Sequence, residues 1–324
     1  MSLCSSDVIR IVILDGSTLG EDVSYDSISQ NGMLTVYPVT APEEIPARIE
    51  EADVVIVNKV RLNVTNLSNA KNLRLICVAA TGFDNIDVAY CKSRGIAVCN
   101  VCGYSTDSVA QLTVAMVLEL VHHLSEMQEY VRSGAYTRSG IANRLTPVFH
   151  ELAGKTWGVV GAGNIGRKVA EIAKALGCRV IVCRRREDPD YPTVGIDTIC
   201  RDADILTIHT PLNDTTRGLI SKERISSMKD GVILVNVARG AVTDEAALAD
   251  AVKCGKIGGL GVDVYSEEPL PESHPLYAVR ALSNVCFTPH MAWGTAEARQ
   301  RCIDEMAENI RAFFAGGVRN RLDL

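Results

Sequence analysis

The chain has 324 residues, 47% of them hydrophobic and 22% charged, with a net charge of −6. That length is a soft prior for two domains, and that composition describes a globular protein with enough apolar mass for a sizeable core. The acidic balance excludes the basic footprint of a nucleic-acid binder, and no run reaches the ~18 consecutive apolar residues of a membrane span.

Short apolar runs at 8–14, 34–37, 54–57, 75–78 and 96–98 predict strands. Helix-like stretches at 42–51 and 85–93 lie between them. This alternation predicts a parallel sheet covered on both faces. The first run is broken by Arg10 and ends at Asp15-Gly16, so it is not an export signal. With 11 cysteines and no such signal, a cytoplasmic chain with reduced thiols is expected. Cys99-x-x-Cys102 lacks the second pair of a zinc ribbon and reads as two buried thiols flanking a strand end.

Residues 106–122 form a helix that is apolar nearly all round, from Val109 through Leu112, Met116 and Leu120. Such a helix is buried, between domains or in a subunit interface. Residues 125–151 look loop-like. A second series then predicts strands at 157–160, 179–183, 205–208, 232–235, 257–262 and 285–287, with helices at 164–176 and 296–314. The boundary between the two series falls near 104–107.

Gly161-Ala162-Gly163-Asn164-Ile165-Gly166 follows a predicted strand directly and opens a predicted helix. That context turns a weak glycine pattern into a dinucleotide-binding loop. Gly161 permits the tight turn, Gly163 lets backbone approach a pyrophosphate, and Gly166 lets helix pack on strand. The helix start, at Asn164 and Ile165, offers unpaired N–H groups to phosphate. An acid that holds the ribose hydroxyls is usual about 20 positions on. Here the next strand ends in Arg184-Arg185-Arg186, with no acid before Glu187-Asp188. Guanidinium groups at Arg184 and Arg185 suit the 2′-phosphate of NADP(H), with NAD(H) as the alternative.

Three further segments end predicted strands, at the edge where open α/β sheets bind ligands. They are Val235-Asn236-Val237-Ala238-Arg239-Gly240, Gly261-Val262-Asp263-Val264-Tyr265-Ser266-Glu267-Glu268-Pro269 and Thr288-Pro289-His290-Met291-Ala292-Trp293. Together with Ala80-Thr81-Gly82, Gly103-Tyr104-Ser105-Thr106 and His209-Thr210-Pro211-Leu212, they resemble the D-isomer-specific 2-hydroxyacid dehydrogenase family over nearly the whole chain. His290-x-x-Trp293 and Ala80-Thr81-Gly82-Phe83 are similar to its glycerate dehydrogenase (hydroxypyruvate reductase) subgroup.

The resemblance implies an α/β fold of two doubly wound parallel-sheet domains. A Rossmann cofactor domain, 105–292, is inserted in a flavodoxin-like substrate domain, 1–104 plus 293–324. Hinges near 102–103 and 292–294 would close a cleft between them. It also implies roles. His290 would give a proton to a 2-keto acid, Glu268 would hydrogen-bond the imidazole and favour its charged form, and Arg239 would hold the substrate carboxylate. Thr81 and Gly82 would bind the same carboxylate, with Trp293 a further substrate contact and Lys59 another. Asp263 would meet the nicotinamide carboxamide, and Thr210, Pro211 and Val237 would line the cofactor site.

Hydroxypyruvate or glyoxylate is the expected substrate, with a D-lactate-type enzyme as the alternative. A non-enzymatic, NAD(H)-sensing corepressor-like protein is the reading from another class. The apolar helix suits a homodimer. No metal-ligand pattern is present: His122-His123 and His209 read as structural, and His150 and His274 as loop residues.

Overall fold

The structure, a computed structural model, describes residues 8–324. The chain divides into two compact units, one reaching to Ser105 and including Gly294–Leu324, the other Thr106–Trp293.

The first unit holds strands β1 (Arg10–Ile13), β2 (Met33–Val36), β3 (Val54–Val57), β4 (Leu75–Val78) and β5 (Ala97–Cys99), in the order β2-β1-β3-β4-β5. All neighbours are parallel. This is the flavodoxin-like order. Every residue of β3 and β4 is buried, so both read as unbroken apolar runs. The helix Ala296–Phe314 belongs to this unit and packs on β4. Its stripe Cys302, Ile303, Met306 and Ile310 is fully buried.

The second unit holds β6 (Thr156–Val160), β7 (Arg179–Cys183), β8 (Ile205–Ile208), β9 (Val232–Asn236), β10 (Ile257–Val262) and β11 (Val285–Phe287). They form one parallel sheet in the order β11-β10-β9-β8-β6-β7. The chain runs outward from β6 to β7 and returns past it to β8, so the winding reverses between β6 and β8. Ligands of doubly wound sheets bind at such a reversal. The flank beyond β6 is one strand shorter than in the 3-2-1-4-5-6 order.

The helix Thr106–His122 lies along the helix Asn164–Ala175 and over β9 and β10. It buries Val109, Ala110, Met116, Val117, Leu120 and Val121, while Ala115 stays exposed. The next stretch departs from expectation. Residues 125–151 are not all loop: helices span Leu124–Arg132 and Ala135–Ser139. Leu124, Met127, Tyr130 and Val131 do repeat at helical spacing, but neither helix buries a residue in this chain. Their stripe is diluted by Ser125, Glu126, Gln128 and Glu129, which hid it from the sequence pattern. His123, at φ 52°, breaks the path, and the two longer helices meet at 62°. Among the described residues no single helix is long and apolar enough to cross a membrane. The expected helix at 42–51 is a 3-10 turn, Pro42–Glu44, followed by the helix Ile45–Ile49. Of the close cysteine pair, Cys99 is buried but Cys102 is exposed, so the reading of two buried thiols holds for one only.

Candidate active site

The dinucleotide loop connects β6 to the helix Asn164–Ala175 at the reversal of the sheet. Gly161 has φ +92°, and a Cβ there would lie 2.7 Å from the Thr210 amide nitrogen and 2.8 Å from the His209 carbonyl carbon. A Cβ on Gly166 would lie 2.2 Å from the Gly161 oxygen. Neither position admits a side chain. Gly163, by contrast, faces open space. Asn164 is exposed and Ile165 half-buried at the helix start, while Thr210 is half-buried and Pro211 exposed on the neighbouring strand end. Backbone N–H groups beside an open approach fit a dinucleotide pyrophosphate.

At the end of β7, Arg184 is engaged within the chain. Its guanidinium lies 2.6 Å from Asp188, which Arg167 also contacts at 2.6 Å. Arg167 reaches Asp190 as well. Burial would raise the Asp188 carboxyl, but the Asp190 amide and the two guanidinium groups outweigh it and hold it down at about 2. Arg185 is exposed beside this cluster.

The other candidates come from the ends of β9, β10 and β11. β9 ends in Asn236, whose side chain accepts from the Ala238 amide at 3.0 Å and donates to the Arg239 carbonyl at 2.9 Å. This local turn sets the backbone of Arg239, and Val237 is half-buried within it. Beyond β11, His290 has φ 54°, a left-handed conformation uncommon for a side-chain-bearing residue. Asp263, just past β10, holds that turn. One carboxylate oxygen accepts from the Thr288 hydroxyl at 2.6 Å and the Met291 amide at 2.8 Å, the other from the Ala292 amide at 2.9 Å. Burial raises the Asp263 carboxyl above its ordinary value, against the lowering effect of these bonds and of nearby His290. The Tyr265 hydroxyl donates to the Thr288 carbonyl at 3.1 Å, and burial pushes this phenol up, so it stays a donor. The Trp293 indole donates to the His290 carbonyl at 3.1 Å.

These supports bring His290 and Glu268 together. The imidazole Nδ1 lies 2.7 Å from one Glu268 oxygen, and the other accepts from the Tyr265 amide at 2.9 Å. The His290 side chain is 20% exposed and that of Glu268 30% exposed, so the pair is partly desolvated yet reachable. A carboxylate on Nδ1 fixes the orientation of the ring. In the first unit, the exposed Thr81 follows β4, its hydroxyl donating to the Val101 carbonyl at 2.8 Å, with Gly82 half-buried next to it. Lys59 is exposed past β3, its amide held by the Asp15 carboxylate at 2.6 Å.

Sequence reasoning did not single out Asn236 and Tyr265, which bond to the turns after β9 and β11, or the buried pairing of His274. His274 is buried at 7% exposure and bonded to Glu245, although its segment reads as a loop. Polar residues one and three positions past a predicted strand end were the available signal for Asn236 and Tyr265. His274 had none, because its partner is 29 residues away.

Residues 114–292 match the family described as D-isomer specific 2-hydroxyacid dehydrogenase, NAD binding domain. The chain is 34% identical to a hydroxypyruvate reductase of Blautia hydrogenotrophica, over 96% of this chain and 99% of that protein. Its fold resembles the D-lactate dehydrogenase of Aquifex aeolicus complexed with NAD and lactic acid, with TM-score 0.86, 30% identity and coverage of 97% and 99%. It also resembles an acyclic imino acid reductase, Bsp5, in complex with NADPH and D-Arg, with TM-score 0.85, 27% identity and coverage of 97% and 100%.

Proposed function

The chain belongs to the D-isomer-specific 2-hydroxyacid dehydrogenases, and we propose that within them it reduces hydroxypyruvate or glyoxylate to the D-2-hydroxy acid. The observation that carries this reading is the 2.7 Å contact between His290 and Glu268 on the sheet edge that also bears Arg239. A reduced nicotinamide dinucleotide, when bound, supplies the hydride for the carbonyl carbon. His290 gives the proton to the carbonyl oxygen from Nε2, while Nδ1 stays on Glu268. The Glu268 carboxylate meets Nδ1 and keeps the ring oriented for transfer. Arg239 binds the substrate carboxylate through paired N–H groups and orients the keto carbon. Thr81, Gly82 and Trp293 keep the substrate-binding roles that family resemblance gives them, and Asp263 its role toward the nicotinamide carboxamide. Gly161, Gly163, Asn164, Ile165 and Gly166 would hold the pyrophosphate, with Thr210, Pro211 and Val237 alongside.

We further propose NADPH as the preferred donor. The exposed Arg185 supports this, and the engagement of Arg184 by Asp188 weighs against it. A D-lactate-type activity is the second reading, favoured by the likeness to the Aquifex enzyme. Assembly as a homodimer is supported by exposed apolar side chains on 124–149, and a cytoplasmic location by free thiols among the described residues. Steady-state kinetics over hydroxypyruvate, glyoxylate and pyruvate, each with NADPH and NADH, tests the reading. The highest kcat/KM is expected with hydroxypyruvate or glyoxylate and NADPH. A pyruvate preference would favour the second reading, and no turnover of any keto acid would refute both.

A further inference from the structure

We propose that Glu245 and His274 are positioning residues for reduction, a buried pair that holds the Arg239 turn and the Glu268 loop in register; this rests on the catalytic reading above. Glu245 opens the helix Glu245–Lys253, where an acid would ordinarily sit in water and complement the helix end. Instead it is only 9% exposed. A buried carboxylate is costly unless its oxygens are bonded. Oε1 accepts from the Ser266 amide at 3.1 Å, and Oε2 lies 3.0 Å from Nε2 of His274.

The other ring nitrogen assigns the proton. Nδ1 of His274 accepts from the Leu276 amide at 3.2 Å, so the ring hydrogen sits on Nε2, aimed at Glu245 and, at 3.2 Å, the Ser266 hydroxyl. His274 thereby caps the turn Pro275–Val279 with one nitrogen and grips Glu245 with the other. Tyr265 sets an edge-on ring contact against it, with centroids 6.3 Å apart.

The pair acts on the active site through backbone. A Cβ on Gly240, the residue after Arg239, would lie 2.2 Å from the Ser266 nitrogen, 2.2 Å from the Tyr265 carbonyl carbon and 2.7 Å from Oε1 of Glu245. The Arg239 turn is therefore pressed directly onto the segment that Glu245 holds. From there Tyr265 donates its amide to Glu268, and Glu268 meets His290. Glu245 touches neither Glu268 nor His290 in these bonds; it fixes the frame on which they and Arg239 stand. A single buried hydrogen bond adds little net stability, so the consequence expected here is geometric. Misplacement by about 1 Å can cost ~100-fold in rate.

The test compares Glu245→Ala, Glu245→Gln and His274→Gln with His290→Ala and the wild type. Folding is followed by circular dichroism, NADPH binding by fluorescence titration, and kcat and KM with hydroxypyruvate by absorbance. The expected result is a dinucleotide Kd within about twofold of wild type and a kcat/KM lowered ~10–100-fold in Glu245→Ala, with KM raised as well as kcat reduced. Glu245→Gln, which keeps the shape and one acceptor, recovers part of the loss. A folded Glu245→Ala with wild-type kcat and KM, beside an inactive His290→Ala, overturns the positioning role alone. So does a loss that only scales with the folded fraction at unchanged KM. Should Glu245→Ala fail to fold, Glu245→Gln and His274→Gln are read by the same criteria. A fully active His290→Ala overturns the catalytic reading and the positioning role with it.

Discussion

His290 sits at a left-handed φ of 54°, where its turn depends on Asp263, Tyr265 and Trp293 for support. That expense of structure on one imidazole fits a proton donor whose position must not drift. His290→Ala and Arg239→Ala are each expected to lower kcat/KM by ~100-fold or more, since a positioned acid–base group contributes ~10²–10⁴-fold and loss of the guanidinium that orients the substrate carboxylate can cost ~10²-fold through misplacement. Near-normal rates in either variant would remove it from the mechanism. His209 behaves oppositely. Both of its ring nitrogens are buried with no hydrogen-bond partner among the described residues, and burial pushes it down to about 3. The folded state therefore takes up the proton later than the unfolded state, whose value is near 6.5. Stability is full above pH 6.5 and falls as pH drops below it, by ~1.4 kcal/mol per pH unit. Urea denaturation between pH 7 and 4.5 should show this slope reduced in His209→Leu; identical slopes would mean the ring is solvated.

At the scale of elements, the cofactor loop and strand ends were largely legible from sequence. Strand runs buried on both faces are short and apolar, and glycine spacing marks a turn whatever the rest of the fold does. The arginine cluster was legible only in part. Asp188 follows Arg184 by four residues, but whether it folds back depends on the loop after β7, and Arg167 joins from a helix far earlier in sequence. With Asp188 held down at about 2, this network persists above the ordinary carboxylate value near 3.8 and is lost only as pH falls through about 2. The 2′-phosphate would then fall to Arg185. Arg185→Asp is expected to cut kcat/KM with NADPH at least ~10-fold more than with NADH, the size of one lost charge-assisted contact. An unchanged ratio would take the arginines out of cofactor selection.

For the whole molecule, two parallel-sheet units carry the candidate residues on strand ends, and one surface stays unaccounted for within the chain. Val131, Ile141, Leu145 and Val148 are each at least 60% exposed on 124–149. An apolar series of that kind marks an interaction surface, and a second copy of the chain is its proposed cover. Light scattering should give twice the 35.0 kDa chain mass. Ile141→Asp with Val148→Asp should shift it toward monomer; a wild-type monomer would end the proposal.

Order of elements and the glycine loop after β6 could be read from residues in line, because each depends on neighbours within one strand and its following turn, while the roles expected of Arg239, Glu268 and His290 came from the family resemblance. Other features needed the chain folded: the return of Asp188 onto Arg184, the exposure of Cys102, the helices of 124–139 and the Glu245–His274 pair. Each joins or separates residues through packing, and packing between distant segments leaves no periodic trace in sequence.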